Sequence, residues 1–263
     1  MRRYLAFTRV AVTSDLRYRG AYWAGLLGVI LRVLMLYYLW QAVFDHRPSV
    51  GSYDFQQMAG YVVLSSLILQ YNSFGAGRQL SLMVARGDIA VEMVRPYSLV
   101  GRLLAQDVGI KIVELTKSGL ALLAVGLVLA DETFAAGIAT WLLFIAAVLI
   151  GGTAIQLVDI VIGSVAFWTN NTWGLWLVRN SVVALFSGAL LPLSFFPGWF
   201  QSLSSWLPFS VSLYVPIDLF ISEVDLAEWL SLFARGVIWL AAGALAAVFV
   251  VNRAVQRVEV FGG

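Results

Sequence analysis

Six long apolar runs dominate this sequence, at residues 20–44, 58–77, 112–130, 134–168, 173–195 and 226–251. A helix needs about 20 mostly apolar residues to cross the hydrocarbon core of a bilayer. Inside that core the backbone must satisfy its own hydrogen bonds, and runs of this length are too long for barrel strands, so they predict helices. Charge content agrees: 12% of residues are charged, against roughly 25% in soluble domains. The mean hydropathy of +0.85 makes lipid the solvent for much of the chain. The fourth run exceeds what a bilayer needs, which predicts tilting or projection beyond it. The expected class is an all-α integral membrane protein with six transmembrane helices in one domain, 1–263.

Lysine and arginine set the expected orientation, because cytoplasmic loops carry them in excess. With the N-terminus inside, 14 of the 17 fall on the inner side, Arg47 alone falls outside, and Arg32 and Arg235 lie within runs. Both termini are then expected in the cytoplasm. The outer segments carry Asp45, Asp54, Asp131, Glu132, Asp218, Glu223, Asp225 and Glu228, which is consistent but weighs little. The first nineteen residues are basic. Tyr4, Phe7, Ala11, Ser14 and Tyr18 recur at helical spacing there, opposite Arg2, Arg9 and Thr13. This predicts an amphipathic helix over 1–19 lying on the membrane surface; a plain basic flank that orients the first run is the alternative.

Two regions interrupt the apolar pattern. The inner stretch 78–98 contains "LMVARGDIAVEMVRPYS". Leu80, Met83, Val84 and Gly87 follow helical spacing, Gly87-Asp88 reads as a turn, and a second short segment ends at Arg95-Pro96, because the residue before proline disfavours helix. Such a helix either anchors the loop to lipid headgroups or docks in a groove of a cytosolic partner. The outer stretch 187–221 holds four of the six prolines, Pro192, Pro197, Pro208 and Pro216, with Trp199 and Trp206. Its apolar pieces are too short to cross. They predict short helices that dip into the outer leaflet over 195–222, with tryptophans at the interface, or else lie along it.

Several activities lose their chemistry. There is no cysteine and one histidine, His46, so thiolate sites, multi-histidine metal sites and histidine relays are excluded. No GxxxxGK[ST] phosphate loop occurs, so the chain lacks that route to ATP hydrolysis. A formal charge of +2 gives no reason to expect nucleic acid. No enzyme activity, bound cofactor or metal is expected. Ionisable groups inside the runs are functional suspects by default. They are Arg32, Asp159 (three residues after Gln156, on the same face) and Arg235, too sparse a set for a proton relay. Tyr37, Tyr38, Tyr61, Tyr71, Phe74, Phe186 and Phe195 either offer an aromatic cavity lining or pack between helices. Gly60, Gly75, Gly151, Gly152 and the Ala24-xxx-Gly28 pair permit close helix approach.

Taken in order along the chain, these features resemble the permease subunits of bacterial type-2 ABC exporters, in the branch whose half-size permeases are encoded apart from their ATPase. The likeness covers the whole length. It rests on "AFWTNN" (166–171), "SGALLPLSFFPGWF" (187–200), "LPF" (207–209), Pro216, the Arg95-Pro96 pair and the closing "VEVFGG". The resemblance implies that 79–88 is a coupling helix facing separate ATPase subunits, with Gln79, Leu80, Leu82, Met83, Arg86, Gly87 and Asp88 at the contact and the turn 169–173 nearby. It implies that ATP and magnesium are held by that partner chain. It further implies a second permease, identical or paralogous, an amphipathic substrate exported through a shared cavity, and an outer gate of Pro192, Phe196, Pro197, Pro208 and Phe209. An ion-coupled secondary transporter or channel is the rival reading; it would show an inverted repeat, and none is visible.

Overall fold

The fold is that of a computed structural model, which describes residues 2–15, 19–73, 75–169, 172–222 and 224–255. Among these the chain is helical, with one isolated β-bridge between Val50 and Tyr53. The expected sites at Phe74, in the Asn170-Asn171 pair and in the closing "VEVFGG" lie outside the described residues. Fourteen α-helices are described: α1 (Arg2–Asp15), α2 (Arg19–Phe44), α3 (Phe55–Tyr71), α4 (Ala76–Ala85), α5 (Ile89–Met93), α6 (Leu99–Glu114), α7 (Leu120–Leu129), α8 (Asp131–Phe134), α9 (Ile138–Gly163), α10 (Trp173–Phe186), α11 (Gly198–Ser205), α12 (Pro208–Ser212), α13 (Tyr214–Ile221) and α14 (Leu226–Val255).

The core forms around α3. A capping box starts this helix: the Asp54 carboxylate accepts from Gln57 N at 2.8 Å, and the Gln57 side chain accepts from Asp54 N at 3.0 Å. Beyond the first turn and as far as Leu69, α3 is apolar on every side, with Ser65 and Ser66 as buried exceptions. A helix of that kind belongs inside a bundle, and residues from Met58 to Ile68 are all buried. The helices α2, α7 and α13 surround it. Long side chains such as Met58, Leu64, Ile68, Leu122, Ile217 and Phe220 are almost wholly buried there.

Glycines set the other main contact. A Cβ on Gly236 would lie 2.6 Å from Ile150, and one on Gly243 would lie 3.0 Å from Leu157. Both pairs are seven residues apart, and in the same sense, so α9 and α14 run parallel. The chain must therefore return through α10 between them. Among the described residues, three helices suit a membrane crossing by length and apolarity, Trp23–Phe44, Ile138–Phe167 and Leu226–Val255.

Four boundaries differ from expectation. The run 58–77 is divided: α3 stops at Tyr71, and Ala76 and Gly77 open α4, because the Gln156 side chain accepts Ala76 N–H at 3.1 Å and starts a new helix there. The run 112–130 is the second half of a longer helical course, Leu99 to Leu129, continued through a π segment at Leu115–Gly119. The run 134–168 is interrupted before Ile138, with α8 a separate turn. The run 173–195 is helical only to Phe186, since Gly188 takes a positive φ of 81° that ends it. The face of α1 that carries Phe7 and Ala11 packs on α6: Arg102 lies over the Phe7 ring at 5.4 Å, a Cβ on Gly109 would lie 2.8 Å from Ala11 Cβ, and Thr8 Oγ1 donates to Ala105 O at 2.7 Å.

Candidate functional site

At one end of the bundle α4 and α5 form an elbow. Backbone contact with the end of α9 fixes α4. A Cβ on Gly77 would lie 1.9 Å from Asp159 O, and one on Gly163 would lie 2.2 Å from Gly77 O. Only glycine at both places allows this approach. Ser81 Oγ makes bonds of 3.2 Å to Gly77 O and Gly163 O, and Trp176 Nε1 of α10 donates to the same hydroxyl at 3.3 Å. Thus α4, α9 and α10 meet at one serine.

The turn of the elbow is Gly87, whose φ of 78° closes the C-terminus of α4. A buried carboxylate holds α5: Glu92 pairs with Arg95 at 3.2 Å, pairs with Arg102 of α6, and accepts from Tyr97 Oη at 2.9 Å. Arg102 also lies over the Phe7 ring of α1, at 5.4 Å. The expected contact residues divide between two faces. Leu80 is buried, and Gln79 and Met83 are half-buried, Met83 against the core beneath. Leu82, Arg86, Gly87 and Asp88 are exposed. Beyond the turn, Val91 is 56% exposed and Val94 83%. Leu82 also borders a groove of about 260 Å³ with Thr172, Trp173 and Leu177, so the elbow and the start of α10 share one surface.

Behind the elbow is a cavity of about 320 Å³, open on one side. Its wall takes residues from α2 (Val29, Arg32), α3 (Ser66, Leu69, Gln70), the α3–α4 break (Asn72, Ser73, Gly75), α4 (Arg78), α9 (Asp159) and α10. Arg179 of α10 grips Asp159 with two bonds, Nε to Oδ1 at 2.7 Å and Nη2 to Oδ2 at 2.5 Å. Both side chains are nearly buried. This bidentate geometry is the strong form of an arginine–carboxylate pair. Asp159 was legible as a suspect in the sequence. Its partner was not, because Arg179 reads as a basic flank of the next run. The available signal was depth: both residues fall near the same end of consecutive apolar runs.

The aromatic side chains expected at a cavity lie elsewhere among the described residues. Tyr61 is buried, and its hydroxyl donates to Gly188 O at 2.6 Å. Tyr71 packs beside Gly152, with Lys111 Nζ 5.7 Å from its ring centre. Tyr37 packs on Phe55, Phe186 stacks on Phe200, and Phe195 meets Trp40 and Tyr53. At the opposite end of the bundle, Phe196 stacks on Phe200 at 4.7 Å. Pro197 caps α11, and Pro208 opens α12 at the position where proline fits a helix. Pro192 is buried and Phe209 half-buried. Trp199 and Trp206 stand exposed.

Apolar helices of membrane length, a rigidly mounted elbow at one end and a polar cavity behind it define a multi-pass membrane permease. Residues 30–262 match the family described as ABC-2 family transporter protein, and the chain belongs to that family. Permeases of this family work with ABC ATPase partners. No curated protein and no solved structure matches the chain.

Proposed function

We propose that the chain is the half-size permease of an ATP-driven exporter in a bacterial cytoplasmic membrane. It crosses six times, through α2, α3, α6–α7, α9, α10 and α14, with both termini and the elbow in the cytoplasm. Two separate ATPase subunits hold the ATP and magnesium and grip the elbow of each permease. The second permease, a paralogue or a copy, meets this one along exposed helix faces. The α2 face suits that role: Leu27 and Leu31 are exposed, and a Cβ on Gly28 would meet nothing within 4 Å. Closure of the ATPases rocks the permeases, and an amphipathic solute leaves past α11–α13.

One observation carries this reading. The α4 arm of the elbow is mounted on α9 through backbone contact at Gly77 and Gly163, so a push on Leu82 is delivered to a long helix without loss in side-chain motion. The test is co-purification from mild detergent, with every companion chain identified. Wild type is expected to bring down an ATP-binding subunit in near-equal amount. Leu82→Asp, on the exposed side, should lose that subunit while keeping its membrane insertion and elution profile. Wild type that emerges alone and well folded, or Leu82→Asp that keeps the ATPase, would sink the coupling role.

A further inference from the structure

The cavity behind the elbow holds one arginine, Arg32, that the described residues leave without a counter-charge. Three arginines, Arg32, Arg78 and Arg179, border it against one carboxylate, Asp159. That carboxylate is committed to Arg179 through both oxygens. Arg32 sits near the middle of α2, in a stretch long and apolar enough to cross a membrane. Among the described residues it has no ion-pair or hydrogen-bond partner. An unpaired arginine at that depth is costly and marks a function by default. Two neutral groups point the same way. Ser66 and Asn72 line the cavity and are 2% and 4% exposed, yet among the described residues Ser66 Oγ and Asn72 Oδ1 have no hydrogen-bond partner. Buried polar atoms of this kind need a ligand or water to satisfy them.

The surroundings are amphipathic. Val29, Leu69, Val183 and Ala184 supply apolar wall next to the arginines. One turn along α2 from Arg32, Met35 is exposed, and one turn along α10 from Asn180, Leu177 is exposed. A volume of about 320 Å³ is at the small end for a ligand pocket, enough for a headgroup and not for a whole amphiphile.

We infer that this cavity binds an oxyanion, phosphate or carboxylate in class, carried on an apolar tail. Arg32 and Arg78 meet the anion, Ser66 and Asn72 complete its hydrogen bonds, and the tail lies outward along α2 and α10. The inference rests on the permease reading and names its substrate class as anionic amphiphiles.

The experiment is equilibrium binding of radiolabelled dodecyl phosphate to the full-length chain in uncharged maltoside micelles. Dodecyltrimethylammonium and inorganic phosphate serve as competitors. Saturable binding is expected, with no displacement by the ammonium amphiphile and weak displacement by phosphate alone. Arg32→Gln should weaken binding by about tenfold to a hundredfold, the range carried by one hydrogen bond to a charged group, while Arg32→Lys retains most of it. Arg32 is exposed on α2, so both variants should elute like wild type. Equal competition by the ammonium amphiphile, or Arg32→Gln binding as tightly as wild type, would overturn the site. Displacement by inorganic phosphate at the same concentration as dodecyl phosphate would also overturn it, in favour of a free oxyanion. The measurement needs no ATPase. A negative result therefore leaves elbow docking standing, and a failed co-purification leaves the binding result intact.

Discussion

Two apolar runs end early in this molecule, and they are closed by opposite means. At the break between α3 and α4 the closing parts are small and polar. Gly77 and Gly163 bring backbones together, Gly75 leaves room for the Gln156 side chain that caps the new helix, and Ser81 ties α4 to α9. At the break after α10 the closing parts are large and apolar. Pro192 and Pro197 turn the chain, and Phe186, Phe196 and Phe200 form a ring stack. A backbone contact has no side chain that can adopt a second rotamer, so α4 and α9 must move as one piece. Stacked rings bury area without fixing one geometry, and short helices joined at prolines shift with little loss of hydrogen bonding. The first end suits transmission of a displacement, and the second suits a surface that opens and closes.

The hardest test of this contrast puts a side chain into each break. In Gly77→Val the new Cβ would lie 1.9 Å from Asp159 O, with backbone rather than a flexible side chain in its way. The cost should exceed the roughly 1–3 kcal/mol of ordinary overpacking, and the variant should not elute from detergent as a single species. Gly198→Ala, at the start of α11, meets nothing within 4 Å. It should stay within about 0.5 kcal/mol of wild type, as surface changes do. Similar behaviour of the two variants on size exclusion and thermal melting would erase the distinction.

Next in size is the ion pair that joins the long helices at the locked end. Asp159→Ala leaves the Arg179 guanidinium nearly buried without its carboxylate. Removal of one partner from a buried pair costs about 3–5 kcal/mol, which should appear as a clearly lowered melting temperature in micelles. A melt unchanged from wild type would mean that solvent in the cavity already serves the arginine.

The sequence showed the membrane class, the apolar helices and the α4–Gly87–α5 elbow plainly, because each depends on local pattern: run length, helical spacing, a glycine turn, an arginine-proline stop. It showed the ends of the helices poorly. The division of 58–77 depends on Gln156, eighty residues from the amide it caps, and no local pattern marks Asn72 as a break. The surroundings of the aromatic rings were hard to read for a related reason. Apolar rings are equally at home between helices and in a cavity, and the packing that decides is non-local. The cavity behind the elbow is bordered by polar and charged side chains from five helices and the α3–α4 break, a set that adjacency in the chain does not reveal. Leu80 and Leu82 show how fine the limit is: two residues apart on one helix, they point to the core and to the outside.

A smaller effect is expected from Tyr61→Phe, which removes the hydroxyl that holds Gly188 O at the ring-packed end. The carbonyl is left buried without that donor, at a cost of about 1–3 kcal/mol. If that end is held mainly by ring packing, the melting temperature should fall less than in Asp159→Ala. A larger fall would show that a single hydrogen bond, rather than the stack, holds the break after α10.

The smallest effect concerns Asp218, on α13 outside the long helices, where Tyr53 Oη donates to it at 2.5 Å. Burial pushes this carboxyl above its ordinary value of 3.8, and the hydrogen bonds from Tyr53 and Tyr214 pull it back only in part. Below the ordinary value both folded and unfolded chains hold the proton, and the site gives no pH dependence. As pH rises past it, the unfolded chain releases its proton first, so the folded state loses stability until its own raised pKa is passed. Asp218→Asn keeps an acceptor for Tyr53 and has no proton to lose. Its melting temperature should therefore gain on wild type as pH rises through that window and then hold a constant lead. Wild type gaining on the variant instead would mean that the two tyrosine hydroxyls outweigh burial, and that the opposite end, like the elbow, is held by polar bonds after all.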